Sequence, residues 1–183
     1  MMQQKSVQIK KMIKYSFGKI IGADYSQIER AIERAKIVSF DIFDTLVKRN
    51  VKTPEDVHDL VHKEYFRQTG FDITEYQKIR VNSEKEARKY SKKEEISLED
   101  IFGFLSGVSD SNKKKLQEIE EETELAICCP DLRMKAIYEY ALKAGKRVII
   151  TSDMYLDEEI IKKILHKCGY YNFEKLYLSS SYG

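Results

Sequence analysis

Three short apolar runs, Ile37-Val38-Ser39-Phe40, Val148-Ile149-Ile150-Thr151 and Leu176-Tyr177-Leu178, punctuate a chain whose other apolar positions recur mostly at helical spacing. Runs this short and this rich in β-branched residues read as buried parallel strands. Between the second and third, Ile160, Ile161, Ile164, Leu165 and Cys168 share a helical face. Asp157, Glu158 and Glu159 stand in the first turn, where negative charge favours the macrodipole, and Gly169 ends the helix. Strand, helix, strand predicts a right-handed parallel crossover. Ahead of the second strand, Asp131 is placed to cap a helix bearing Leu132, Ile137, Tyr140 and Ala141, which Gly145 terminates. From Asp24 to Lys36, Ile28, Ile32 and Ala35 mark a short amphipathic helix that delivers the chain to the first strand.

Residues 51–127 show no strand alternation but carry two cap signals. Thr53-Pro54-Glu55-Asp56 sets a cap, a proline at the first helical position and an acid at the third, and Ser97-Leu98-Glu99-Asp100 repeats the cap-to-acid spacing. An all-helical insertion is expected here. Its charged runs, Lys113-Lys114-Lys115 and then Glu118, Glu120, Glu121, Glu122 and Glu124, read as solvated helix faces. His58 and His62, at i and i+4, imitate a zinc-protease helix, but the acid beside the first is Asp59 rather than Glu and no third ligand is evident. Cys128 and Cys129 read as packing residues ahead of Pro130. The stretch from Met1 to Gly22 carries five lysines and no acid, with apolar residues at loose spacing, and reads as a solvated linker or docking helix rather than a membrane-surface helix. The expected division is a basic leading segment at 1–36, an α/β core at 37–50 and 128–183, and a helical insertion at 51–127.

At 183 residues, with 42% hydrophobic and 34% charged positions but only 8 Gly and 2 Pro, the chain is neither collagen-like nor disordered, and an all-β fold lacks the turns it would need. The net charge of +2 is no footprint for nucleic acid. Three cysteines without metal or disulfide spacing fit a reduced, cytoplasmic setting. No apolar run approaches the ~18 residues of a membrane span.

The chemistry concentrates at the ends of two strands. Asp41 closes the first apolar run and is followed by Ile42-Phe43-Asp44-Thr45, so carboxylates and a hydroxyl stand at the carboxyl end of a parallel strand, where open α/β sheets hold ligands. Taken alone, Asp41 and Asp44 either cap turns or form part of a metal or nucleophile site. Thr151-Ser152-Asp153 ends the second run, offering hydroxyls and backbone N–H groups to an oxyanion ahead of a helix N-terminus. Adjacent parallel strands would bring both groups to one edge of the sheet.

The segment Val38-Ser39-Phe40-Asp41-Ile42-Phe43-Asp44-Thr45-Leu46-Val47 resembles the first motif of the haloacid dehalogenase (HAD) superfamily, and Val148-Ile149-Ile150-Thr151-Ser152-Asp153-Met154-Tyr155-Leu156 resembles its second. The Ser-Asp-Met-Tyr-Leu wording is similar to a bacterial subgroup of HAD hydrolases, some fused to or encoded near glycosyltransferases for surface polysaccharides. Ile79-Arg80, Glu84, Ala87-Arg88 and the run from Leu178 to Gly183 agree as well. The resemblance implies a Rossmann-like α/β core with a helical cap. It implies a Mg²⁺-dependent phosphatase of a small phosphorylated metabolite, with a sugar phosphate suggested by the subgroup's association. Asp41 would be the nucleophile, Mg²⁺ would be held by Asp41 and the backbone carbonyl of Phe43, and Ser152, with Thr151 as the alternative, would hold the phosphoryl oxygens. Asp44 is the nearest candidate acid, and Thr45 and Asp153 complete the substrate-binding set.

Two departures shape the expectation. Phosphatases of the superfamily place a second Asp two residues after the nucleophile to protonate the leaving oxygen; here that residue is Phe43. An apolar residue there also resembles the dehalogenase branch, whose chemistry needs neither that acid nor Mg²⁺. The sequence stops at Gly183, ahead of the third-motif Lys and the acidic fourth motif, so it reads as a truncated enzyme, inactive in this form, with Ile37–Phe40 as an open edge strand that invites dimerisation. The alternative is a non-catalytic HAD-like docking module.

Overall fold

The computed structural model describes residues 25–92 and 95–179; the basic stretch from Met1 to Gly22 and the last four residues lie outside them. In chain order, helix α1 (Tyr25–Arg34) leads into strand β1 (Ile37–Asp41) and the short strand β2 (Val47–Arg49). Four helices follow: α2 (Asp56–Thr69), α3 (Tyr76–Tyr90), α4 (Leu98–Gly103) and α5 (Asp110–Ile127). The chain then returns through β3 (Cys128–Pro130), α6 (Leu132–Lys143), β4 (Arg147–Ser152), α7 (Glu158–Lys167) and β5 (Lys175–Leu178).

The three apolar runs form one parallel sheet in the order β1-β4-β5, with Asp41 opposite Thr151 and Ser152 opposite Leu178. Burial alternates along each strand, so Phe40, Val148, Ile150, Leu176 and Leu178 carry the core on one face while Ile37 is 43% exposed. The strands are therefore covered on one face more than on the other, which corrects the expectation of fully buried runs. Asp131 caps α6 by accepting from the backbone N–H groups of Arg133 and Met134 at 2.8 and 3.1 Å. Leu132, expected on the apolar face, is exposed because the first helical position points away from the sheet. Tyr138 takes the buried place, 5.4 Å from the ring of Phe40, and its hydroxyl donates to the carbonyl of Tyr171.

Strands β2 and β3 form an antiparallel ribbon that the sequence pattern does not announce, pairing Val47 with Pro130, Lys48 with Cys129 and Arg49 with Cys128. Bonds from Asn50 N–H to Ile127 O (3.0 Å) and from Asp131 N–H to Leu46 O (2.9 Å) extend it at both ends. It forms the neck through which the chain enters and leaves the four helices. Cys128 is buried there, its thiol pushed up to about 12 by burial and then by the Glu124 carboxylate, whereas Cys129 is exposed and not a packing residue.

Beyond the neck, α2 packs on α5 and α3 on α2 and α4. Ser97 and Asp100 form the expected reciprocal capping box at the start of α4. The first cap signal behaves differently: the Asp56 carboxylate accepts from Thr53 N–H at 2.9 Å, but Pro54 and Glu55 form a separate turn and regular helix starts only at Asp56. The acidic run of α5 is not a solvated face throughout. Glu120 and Glu124 share the buried stripe with Leu116 and Ile119 because they lie one and two turns after Leu116. Arg80 of α3, itself fully buried, meets Glu120 through Nε (2.9 Å) and Nη2 (2.6 Å). Burial works against the charged guanidinium, but the Glu120 carboxylate with the Tyr155 and Tyr76 hydroxyls together turn the net shift of Arg80 upward.

The two histidines turn to different partners. His58 is buried with Nδ1 3.9 Å from Glu120, while His62 accepts from Ile73 N–H and lies 3.2 Å from Asp72. Burial first, and the nearby Arg80 charge second, lower the pKa of His58 to about 4.

Two outcomes follow from the buried charges. Arg80→Met, which strips the buried Glu120 carboxyl of its partner, should cost about 3–5 kcal/mol in urea unfolding, and adding Glu120→Leu should recover most of that loss. A His held neutral in the folded state gives stability that is present above its unfolded pKa and is lost as pH falls through the window from 6.5 to about 4. The stability difference between pH 7 and pH 4.5 should therefore shrink by about 2–3 kcal/mol in His58→Phe relative to the wild type. An unchanged difference would show that His58 titrates normally.

Candidate functional site

The carboxyl edge of the sheet carries an open cleft of about 570 Å³ lined by Asp41, Thr151, Ser152, Asp153, Tyr177, Leu178 and Ser179. The register explains the set. Parallel pairing of Asp41 with Thr151 and of Thr151 with Tyr177 brings the ends of all three strands to one edge, so residues far apart in the chain converge where the strands stop.

Each side chain is fixed by local geometry. Asp41 is exposed at the end of β1, and the Thr45 hydroxyl donates to its Oδ2 at 3.0 Å, engaging one carboxylate oxygen. That bond exists because the chain turns sharply after β1: Asp44 adopts a left-handed backbone with φ of 56°, and Val47 N–H returns to Ile42 O at 2.8 Å. Asp and Asn tolerate this conformation better than other side-chain-bearing residues. Ile42, Leu46 and Val47 are fully buried and anchor the turn from below. On the second loop, Ser152 is 7% exposed and its Oγ accepts from Met154 N–H at 3.3 Å, which leaves the hydroxyl hydrogen to donate elsewhere. Thr151 Oγ1 lies 3.4 Å from Ser39 Oγ across the strands, and Ser179 donates to the Ser152 carbonyl at 3.4 Å.

Of the residues singled out from sequence, Asp41, Thr151, Ser152 and Asp153 meet around the cleft, and Thr45 joins them through its bond to Asp41. Asp44 is exposed in the turn and is not among the lining residues. Phe43 is part-buried, with the guanidinium of Arg49 4.2 Å above its ring. Sequence reasoning misses Tyr177, Leu178 and Ser179 as lining residues, although their position at the end of the third apolar run is the available signal. Arg49 and Glu124, which flank the two loops, give no motif at all, whereas Tyr155 lies within the second motif.

The donor set facing the cleft is one of hard oxygens: two carboxylates, Asp41 and Asp153, with neighbouring hydroxyls. Such a set suits Mg²⁺, which takes one or two carboxylates and keeps much of its water. Among the described residues no three His, Cys, Asp or Glu side chains cluster as a complete ligand set. No helix among them is long and apolar enough to cross a membrane.

No protein-family model and no curated protein matches the chain. Solved structures do. A Thermotoga maritima protein assigned as a beta-phosphoglucomutase is 10% identical, with a TM-score of 0.51 over 79% of this chain and 62% of its own. A haloacid dehalogenase-like hydrolase from Bacteroides fragilis is 16% identical, with a TM-score of 0.43 over 80% of this chain and 64% of its own. A hydrolase from Streptococcus pneumoniae TIGR4 is 15% identical, with a TM-score of 0.39 over 81% of this chain and 68% of its own. The chain thus spans less than two thirds of the first two. Likeness at such identities is likeness of fold alone, and the parallel α/β sheet with its helices is what the chain shares with the first of these structures.

Proposed function

We propose that the protein is a Mg²⁺-dependent phosphohydrolase that acts on a small phosphorylated metabolite through an aspartyl-phosphate on Asp41. The observation that carries this reading is the meeting of Asp41 with Thr151, Ser152 and Asp153 at one strand edge in a HAD-like fold, with Thr45 holding the carboxylate. In this reading one oxygen of Asp41 attacks phosphorus, the ester oxygen leaves, and water then cleaves the acyl phosphate. The Ser152 hydroxyl donates to a phosphoryl oxygen, its own lone pair being taken by Met154 N–H. Thr151 and Asp153 face the same bound group. Asp41 and the Phe43 carbonyl would hold Mg²⁺, which offsets the repulsion between carboxylate and phosphate. Residues 51–127 act as a cap that excludes water and selects the leaving group, over a core of residues 37–50 and 128–183. A sugar phosphate is the favoured metabolite on the resemblance to the glycosyltransferase-associated subgroup.

Phe43 sharpens the proposal. With an aromatic ring where a proton donor would stand and Asp44 turned out of the cleft, poor leaving groups lose general-acid help that is worth about 10²–10⁴-fold. Activated esters should therefore be hydrolysed far better than alkyl phosphates.

The test uses the protein encoded by the complete gene. It should hydrolyse p-nitrophenyl phosphate only with Mg²⁺, and Asp41→Asn should abolish turnover. Turnover without metal, or an active Asn variant, overturns the assignment. No turnover by the wild type, with unaltered folding, turns the reading toward a non-catalytic module. Halide release from a 2-haloacid without Mg²⁺ turns it toward the dehalogenase branch, which Phe43 resembles.

A further inference from the structure

Arg49 belongs to neither motif, yet its side chain, 12% exposed, touches both motif loops and the helices at once. It closes β2, opposite Cys128 of β3. From there Nε reaches both oxygens of Glu124 in the last turn of α5, at 2.8 and 3.1 Å. Its guanidinium lies 4.2 Å over the ring of Phe43, and Nη2 is 3.9 Å from the sulfur of Met154. Phe43 stands two residues after Asp41, and Met154 stands two residues after Ser152.

We infer that Arg49 is a positioning residue that locks the loops carrying Asp41 and Ser152 to Glu124 of α5, so that the seating of the four-helix segment sets the geometry of the cleft. Guanidinium chemistry suits this role, because its edge supplies directed donors to a carboxylate while its flat face stacks on an aromatic ring. A lysine ammonium, a compact point charge, can satisfy Glu124 or sit over Phe43 but cannot do both in the plane that Arg49 occupies. The contacts are specific because Glu124 is itself buried, with a side chain 2% exposed. Burial pushes its carboxyl upward and Arg49 opposes that push, so the pair is held together by the cost of separating it in a poorly solvated place. Met154 ties the second loop in from the other side, where Tyr155 enters the helical segment and its carbonyl accepts from Leu98 N–H at 2.9 Å. Displacing α5 therefore moves a partner of both loops together.

The coupling itself stands on contacts alone; its effect on turnover rests on the phosphohydrolase reading. The experiment compares hydrogen exchange by mass spectrometry in wild type, Arg49→Met, Arg49→Lys and Glu124→Gln, with Arg147→Met of the exposed Arg147–Glu174 pair as control. Exchange in peptides covering 41–47 and 152–157 should rise about tenfold in Arg49→Met and in Glu124→Gln while α6 and α7 keep their protection, the signature of local rather than global opening. Arg49→Lys should fail to restore it, and the control should be silent. A rise confined to β2 and α5, a uniform rise everywhere, or full rescue by Lys overturns the inference. If Arg49→Met does not fold, Glu124→Gln, nearly isosteric, decides by itself. With p-nitrophenyl phosphate and Mg²⁺, kcat should fall about 10²-fold in Glu124→Gln with KM nearly unchanged, as expected when reacting groups are misplaced but binding is kept. Wild type that lacks this turnover removes the phosphohydrolase reading and leaves the exchange result to decide the coupling.

Discussion

The parallel register of β1 against β4 is the constraint on which the site depends. Side chains alternate along a strand, so sliding β1 by one residue would turn Phe40 out of the core and Asp41 into it. Phe40 holds the register by packing against Tyr138 of α6, which is fixed in turn by its edge contact with Tyr170. The hydroxyl of Tyr170 donates to the Leu46 carbonyl at 2.6 Å, which pins the end of the turn that carries Asp44 and Thr45. A chain of aromatic contacts in the core therefore sets where the Asp41 carboxylate emerges. The same pairing brings Thr151 and Ser152 to its side without any contact in sequence.

The helical segment meets the loops of the sheet through charged pairs as well as apolar packing. Arg80 and Glu120 sit in the seam between α3 and α5, with the Tyr155 ring 5.2 Å from the guanidinium and its hydroxyl 3.5 Å from the Glu120 carboxylate. Taking each ion from water costs several kcal/mol, so leucine-like side chains would serve a generic bundle about as well. What the pair adds is a fixed mate for Tyr155, a residue of the loop that follows Ser152. Packing among helices is tolerant of small slides, whereas a two-bond guanidinium–carboxylate contact is not. Arg80 makes that contact with Glu120, and, one helical turn on, the Nε–H of Arg49 is shared between both oxygens of Glu124, so two arginines orient α5 toward the sheet edge.

This contrast explains what is legible in the sequence. The three sheet strands, helix α7 with its apolar stripe, the cap of α6 and the capping box at Ser97 all declare themselves locally, through runs, periodicity and spacing. The meeting of Asp41 with Ser152 follows once the strands are parallel neighbours. The ribbon of β2 and β3 does not: three-residue strands carry too little pattern, and their partners are separated by the whole helical segment. The buried glutamates escape a reading that takes charge as a sign of exposure. Their spacing from Leu116 places them on the inner stripe, and Arg80, in line with Tyr76, Ser83 and Ala87, holds the matching place on α3. A charge on each of two facing apolar stripes is the legible clue. Arg49 offers none, since a single arginine after a two-residue apolar and basic run has no periodicity to betray it.

The departure at Phe43 takes on a physical meaning from the same network. Its ring supplies the face on which Arg49 rests, and Arg49 in turn reaches Glu124 and Met154. A carboxylate in place of that ring would stand beside a guanidinium, and an adjacent cation favours the ionised form of an acid. An aspartate there would compete with Glu124 for Arg49 and stay deprotonated at neutral pH, which is the wrong state for giving a proton to a leaving oxygen. The aromatic residue and the arginine are therefore one choice rather than two: with Arg49 tying the loops to α5, position 43 serves packing, and under the proposed phosphohydrolase reading it would give no proton to the leaving group.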